Sequence, residues 1–411
     1  MWSRVKSWLA SRWIEPLSAD AFRRERDALL RRSPVPVFWL FGKTGSGKSS
    51  IIRYLTGAES ATIGSGFRPE TRQSFRFDFP ATDSPIIEFL DTRGLGESGY
   101  DPAEDLATFS ESTHLMIVTA RALDHALAPV VEPLRKIRKA ARHRPVVLAL
   151  TCLHHADPHA QPPRPDPFHD LPPGALADPG RLPEVLPETL RRSIAEQARR
   201  FDGLVDAIVP LDFTRPEEGY DEPDFGGERL KQTLVDLLPA AYRQTFLTLE
   251  DVMASLRGLH ERRAMPYILS ASTMAASAAA VPLPWIDLPV VAAIQSDLIR
   301  RLAKLFHRRL DGREFLRFAG AIGGRMLARQ VIRETLKVIP GVGQAASASV
   351  AFASTYALGR ACLWYYGERL AGHAPTAEEL RTVMHAQMQT AAGLWRRYHA
   401  PDAANRPQPH S

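Results

Sequence analysis

An α/β domain built on a mostly parallel sheet, followed by an all-α, Ala-rich helical domain, is the fold class the sequence predicts. Short apolar runs at 35–41, 74–79, 86–90, 114–120, 146–150 and 207–210 alternate with longer helical patterns, as in a sheet covered by helices on both faces. The first run leads straight into a glycine-rich octet that opens a helix. After Leu237-Leu238-Pro239 the strand-like alternation stops and alanine-rich helical periodicity takes over.

The chain of 411 residues is too long for one ordinary core. The expected organisation is a basic amphipathic arm at 1–33, an α/β domain at 34–240 with a proline-rich insertion at 156–187, a helical domain at 241–400, and a disordered tail at 401–411. Cys152 and Cys362 are the two cysteines, which leaves no disulfide framework and points to the cytoplasm or the cytoplasmic face of the inner membrane. A formal charge of +6 is spread along the chain and not gathered in a tract, so it calls for no DNA partner. The first thirteen residues have neither the apolar core nor the cleavage site of a secretory signal.

In the arm, Trp2, Val5, Leu9 and Trp13 fall at helical spacing, with Arg4, Lys6 and Arg12 largely off that stripe. Such a face suits an anionic membrane surface or packs on the rest of the protein. A second basic helix is expected at 20–32, ended by Ser33 and Pro34.

The octet Gly42-Lys43-Thr44-Gly45-Ser46-Gly47-Lys48-Ser49 has the spacing G-x-x-x-x-G-K-[ST] of a phosphate-binding P-loop, placed between a buried strand and a helix. Glycines let successive backbone N–H groups turn around a β-phosphate, Lys48 adds a point charge, and the Ser49 hydroxyl reaches Mg²⁺. Ser50 and the helix that follows aim a positive N-terminal end at the same anion.

The run at 74–79 alternates, Phe75, Phe77 and Phe79 against Arg76 and Asp78, and is expected at the exposed edge of the sheet. Asp91-Thr92-Arg93-Gly94 closes the run at 86–90; an aspartate there can hold Mg²⁺ through water, and Gly94 can offer its N–H to a γ-phosphate. P-loop, strand and D-x-x-G together resemble the P-loop NTPase G domain of translation-factor-class GTPases, and G-K-T-G-S-G-K-S-S is similar to Era-like, septin-like and immunity-associated members. The resemblance spans about 34–239 and implies GTP as ligand and substrate, with Mg²⁺ held by Ser49, Asp91 and a switch threonine. Thr71, in the Gly- and Pro-bearing segment 64–71, is the candidate, with Thr62 the alternative and a solvated turn the bland reading. The septin-like and dynamin-like manner of assembly implies a homodimer through the G domain.

Departures from the family pattern bear on chemistry. Leu95 follows D-x-x-G where Ras-like proteins keep a water-positioning glutamine, so hydrolysis is expected to be slow or to use another group; Arg93 and Thr71 are candidates. Position four of the P-loop is Gly45 and not the asparagine of potassium-dependent relatives. Where guanine-specific relatives read N/T-K-x-D, this chain reads Thr151-Cys152-Leu153-His154, so Thr151 and His154 are expected at the base and the residues also permit ATP. The turn at Leu211-Asp212-Phe213 stands where relatives have S-A-K.

In the C-terminal half, 264–286 and 338–359 carry no charge and have the length of a bilayer span, yet both are rich in alanine and serine, and Pro282 and Pro284 break the first. Pro-broken helical hairpins around 281–289 and 337–343 resemble a bacterial helical domain of unknown function found with predicted GTPases and described as membrane-associated. The alternative is a soluble bundle with tight alanine seams.

Overall fold

A computed structural model describes residues 24, 26–29, 35–58, 68–69, 74–92, 105, 112–159, 161–172, 174–214, 216–254, 259–280, 287–306 and 343–399. The chain divides into two compact units: Val35–Thr82 with Ile87–Phe246, and Met1–Pro34, Asp83–Ile86 and Leu247–Ser411.

The first unit is built on a seven-stranded sheet in the order β2-β3-β4-β1-β5-β6-β7. Its strands are β1 (Val37–Gly42), β2 (Arg68–Pro69), β3 (Ser74–Phe79), β4 (Ile87–Thr92), β5 (Leu115–Arg121), β6 (Val146–Thr151) and β7 (Ala207–Pro210). From β4 across to β7 every pair is parallel, whereas β2–β3 and β3–β4 are antiparallel. β1, at the centre, is apolar throughout and buried at every position, as a strand covered on both faces must be. The alternating strand β3 is not the outermost one: the two-residue β2 pairs beyond it. A strand that short has no periodicity to read, and Arg76 on β3 is drawn into ion pairs with Asp78 and Glu88 and not left to solvent.

Helices α1 (Lys48–Thr56), α2 (Ala128–Ala140), α3 (Glu188–Arg200) and α4 (Gly227–Leu237) flank the sheet. One face buries Trp39, Phe41, Val118 and Leu148 against Leu134 of α2 and Ile194 of α3. Ile51 and Ile52 of α1 are fully buried, as is Phe38, which stacks on Phe89 with centroids 5.8 Å apart. The Trp39 indole N–H donates to the Thr92 hydroxyl at 2.8 Å, so the polar handle of this core tryptophan is satisfied. At the amino end of β5, His114 Nδ1 accepts the Val37 N–H at 3.0 Å and its ring lies 3.5 Å from that of Tyr242. Burial, and then the nearby Arg144 charge, push this imidazole down to about 4. The proline-rich segment is folded: Phe168 and Leu186 join the core, and Arg229 reaches Asp166 at 2.6 Å. β8 (Asp212–Phe213) and β9 (Asp224–Phe225) form a small separate ribbon, and the unit boundary falls within α5 (Ala240–Ala254).

The second unit contains α6 (Leu259–Ala280), α7 (Asp287–Leu305), α8 (Gly343–Leu370) and α9 (Ala377–His399). α6 packs on α7 and α8, and α8 on α9. Gly359 of α8 lets two backbones close up, because a Cβ there would stand 2.7 Å from Ile268 Cγ1 on α6. Phe306 stacks on Tyr366 at 5.4 Å, and Phe352 packs on Trp395 at 5.2 Å. Arg360 on α8 pairs with Glu261 on α6 at 3.3 Å, and Asp83 with Arg26 at 3.5 Å. No helix among the described residues is long and apolar enough to cross a membrane. The arm residues Trp2 to Trp13, the hairpin turns at 281–286 and 337–342, and the tail lie outside the described residues.

Candidate functional site: a phosphate cradle at the carboxyl ends of β1, β4, β5 and β6

The parallel strands all end on one edge, and the first of them turns into the octet there. Gly45 and Gly47 adopt left-handed φ values of +74° and +94°, which turn the loop back before α1 begins at Lys48. Gly42 is needed for a different reason: a Cβ would stand 2.1 Å from the Thr119 hydroxyl on β5. The loop is tied to the strands beside it. Ser46 Oγ lies 2.6 Å from Thr119 Oγ1 and donates to the Lys43 carbonyl at 2.7 Å, while the Thr151 hydroxyl donates to the Ser46 carbonyl at 2.9 Å. Lys43 turns outward and pairs with Asp124 at 2.8 Å. Burial would raise the Asp124 carboxyl, but the Lys43 hydrogen bond, the Ala126 N–H and the Lys43 charge bring it below its ordinary value.

Lys48 curls back over the loop, its Nζ donating to the Gly42 carbonyl at 2.6 Å and the Lys43 carbonyl at 3.0 Å, with the Asp91 carboxylate 3.7 Å away. These bonds hold an ammonium at the floor of a cavity of about 440 Å³ lined by Thr44, Gly45, Gly47, Lys48, Ser49, Ser50, Asp91 and Thr151. Ser49 and Asp91 set a hydroxyl and a buried carboxylate in that cavity. Two hard oxygen donors beside a phosphate-binding loop fit a magnesium ion, which keeps several waters and shares its remaining positions with phosphate oxygens.

Away from the P-loop the cavity is apolar, lined by Cys152, Leu211 and Phe213, and Asp91, near Lys48, is the one carboxylate among the lining residues. Cys152 is the single non-glycine with positive φ among the described residues, at +57°, and burial raises its thiol. Phe213 is braced by Tyr54, ring centroids 4.6 Å apart. His154 lines a neighbouring cavity of about 280 Å³ with Pro162, Pro163, Phe168, Tyr220 and Asp212. Its Nδ1 lies 2.7 Å from Asp212 Oδ1, and its backbone N–H donates to Asp212 Oδ2 at 2.6 Å. Burial raises the Asp212 carboxyl, and both bonds from His154 offset part of that rise. The structure thus gathers Thr44, Gly45, Gly47, Lys48, Ser49, Ser50, Asp91 and Thr151 at one cavity, leaves Gly42, Lys43 and Ser46 off its lining, and sets His154 in the neighbouring one. Thr62, Thr71, Arg93 and Gly94 lie outside the described residues.

Two side chains that sequence reasoning missed belong to this edge. Thr119 holds the loop as above, and Arg121, the last residue of β5, donates from Nε to the Gly45 carbonyl at 3.0 Å. The available signal was positional: a strand paired directly with β1 delivers its carboxyl-terminal residues to the loop that β1 feeds.

Residues 37–152 match the family described as 50S ribosome-binding GTPase, and residues 244–391 match a domain of unknown function, DUF697. The chain joins a GTP-binding GTPase domain to a DUF697 domain. No curated protein matches it. Among solved structures, Toc33 from Arabidopsis thaliana in complex with GDP and Mg²⁺ is 14% identical, covering 55% of this chain and 92% of that one at a TM-score of 0.28. LeoA, a bacterial dynamin GTPase from ETEC, is 15% identical over 94% of this chain and 73% of its own, with a TM-score of 0.36. The cytosolic domain of T. maritima FeoB in its GMPPNP form is 11% identical over 89% and 99%, at 0.25. Likenesses this distant carry no weight for function.

Proposed function

We propose that this protein is a GTP-dependent switch and slow GTPase, in which Mg²⁺-bound GTP on the P-loop biases what the DUF697 domain contacts. The observation that carries the reading is the placement of Lys48, Ser49 and Asp91 around one cavity of about 440 Å³ at the end of a stitched P-loop. Lys48 would neutralise the β- and γ-phosphates, and Ser49 and Asp91 would hold Mg²⁺, directly and through water. Thr71 and Gly94 would take the γ-phosphate in the manner the family resemblance implies. Slow hydrolysis is supported by Leu95, which stands where a water-positioning glutamine is found in Ras-like proteins. A cytoplasmic site, or one at the cytoplasmic face of a membrane, fits two cysteines outside any disulfide.

Ser49→Ala tests the metal part of the reading. GTP binding by the variant is expected to need roughly tenfold more Mg²⁺ than the unaltered protein, with GDP binding in EDTA unchanged; an identical Mg²⁺ dependence would remove Ser49 from the site.

A second reading is membrane tethering with nucleotide-dependent homodimerisation through the G domain, supported by the Trp2 and Trp13 stripe with its basic flanks. Flotation with vesicles of anionic lipid, lost on Trp2→Ala with Trp13→Ala, separates it from a purely protein-directed switch. The description of the matched GTPase family supports a third, ribosome association, which salt-sensitive co-sedimentation addresses.

A further inference from the structure

We propose that Arg121 is a catalytic residue of this site, a cation supplied by the chain itself that takes up negative charge on the triphosphate as the γ-phosphoryl passes to water. The inference rests on the reading of the cavity as a GTP-hydrolysing site.

Geometry places the side chain. β5 pairs with β1 in a register that sets Thr119 opposite Gly42, so Arg121 reaches past the start of the loop. Its Nε donates to the Gly45 carbonyl at 3.0 Å. Its Nη2 lies 2.7 Å from the point a Cβ at residue 45 would occupy. The guanidinium therefore fills the volume that any larger residue at position four of the P-loop would hold, and Gly45 lines the phosphate cavity beside Thr44, Gly47 and Lys48. Glycine at this position removes a side chain and admits the arginine in its place.

An exposed arginine is most often engaged by a surface carboxylate. Among the described residues, no carboxylate lies within ion-pair distance of Arg121. Asp124, three residues on, is held by Lys43 at 2.8 Å. One bond from Nε orients the guanidinium plane, and its remaining N–H groups have no hydrogen-bond partner among the described residues. A planar, permanently charged fork held in that way is suited to donate to two phosphate oxygens.

In the reaction, a water oxygen forms a bond to the γ-phosphorus while the bond from that phosphorus to the β–γ bridging oxygen breaks. The electron pair of the broken bond stays on the β-phosphate of the departing GDP, and the water proton leaves with inorganic phosphate. Charge grows on the bridging and β-phosphate oxygens during this loose displacement, and an arginine acting there contributes roughly 10³- to 10⁵-fold to the rate. Leu95 leaves the site without the glutamine device, so charge stabilisation by Arg121 acts beside Lys48 and Mg²⁺ without it.

The test is single-turnover hydrolysis of GTP in Mg²⁺ by the full chain, with equilibrium GTP binding measured in parallel. Arg121→Ala is expected to bind GTP within about fivefold of the unaltered protein and to hydrolyse it at least 100-fold more slowly at saturation. Millimolar guanidinium is expected to restore part of that rate to Arg121→Ala while leaving the unaltered protein unchanged. Arg121→Gln, which keeps a donor for the Gly45 carbonyl without the charge, should be equally slow and controls for a disturbed loop. Hydrolysis by Arg121→Ala at the unaltered rate, or an unaltered rate at saturation with binding alone weakened, would overturn the proposal. Binding of GTP by the unaltered protein with no turnover would overturn it and leave the GTP-binding reading standing; no binding at all would overturn both.

Discussion

At the scale of single residues, the site is a set of contacts that leave no room for alternatives. Gly42 is the sharpest case, since a methyl group there would meet both the hydroxyl and the carbonyl oxygen of Thr119, 2.1 and 2.4 Å away. Gly42→Ala is expected to abolish GTP binding and to lower the melting temperature of the GTPase domain by several degrees, on the order of 1–3 kcal/mol of overpacking. Retention of GTP affinity by this variant would mean that the loop is held more loosely than the Ser46, Thr119 and Thr151 bonds indicate. The shape of the loop was legible in the sequence because the octet fixes spacing, glycine placement and lysine within one short segment. Arg121 and the His154–Asp212 pair were not, because their partners come from strand ends far away in the chain, joined only by sheet order.

Secondary elements carry the next layer. Five of the sheet's strands are apolar runs that can be read directly, whereas β2 is too short for any period, which is why β3 looked like the edge. β5 brings His114 to its amino end and Arg121 to its carboxyl end, so one strand serves both stability and the site. The unfolded chain protonates this histidine below about pH 6.5, but the folded one only near 4, so the unfolded state binds more protons in between. Its contribution is therefore full above pH 6.5, is lost as the pH falls toward 4, and amounts to about 1–2 kcal/mol once solvent screening of a half-buried ring is allowed for. Urea midpoints at pH 7.5 and 4.5 should differ less for His114→Asn, which does not titrate, than for the unaltered protein; equal differences would remove His114 as a source. On α8, Gly359→Ala should cost about 1–3 kcal/mol by pressing on Ile268 of α6, read as a lower urea midpoint for the helical unit. An unchanged midpoint would mean that the two helices can separate without loss.

Over the whole molecule, the chain divides into two compact units, one built on the sheet and one that holds helices α6 to α9 together with residues 1–34 and 83–86. The uncharged stretch 264–286, long enough to span a bilayer, was ambiguous because alanine and serine serve both a lipid-facing helix and a close helix seam. In the structure α6 buries Met265, Ile268, Leu269 and Ala275, and its Ser272 hydroxyl donates to the Ile268 carbonyl at 2.6 Å. The assembled GTPase domain then stands or falls on one cation at the cavity floor. Calorimetric titration of GTP in Mg²⁺ into the full chain and into Lys48→Ala tests this most directly. Saturable one-to-one binding is expected, weakened at least roughly 100-fold by Lys48→Ala, the loss of a charge-assisted contact worth about 3 kcal/mol. Absence of binding to the unaltered chain, or equal affinity in the two proteins, would contradict it.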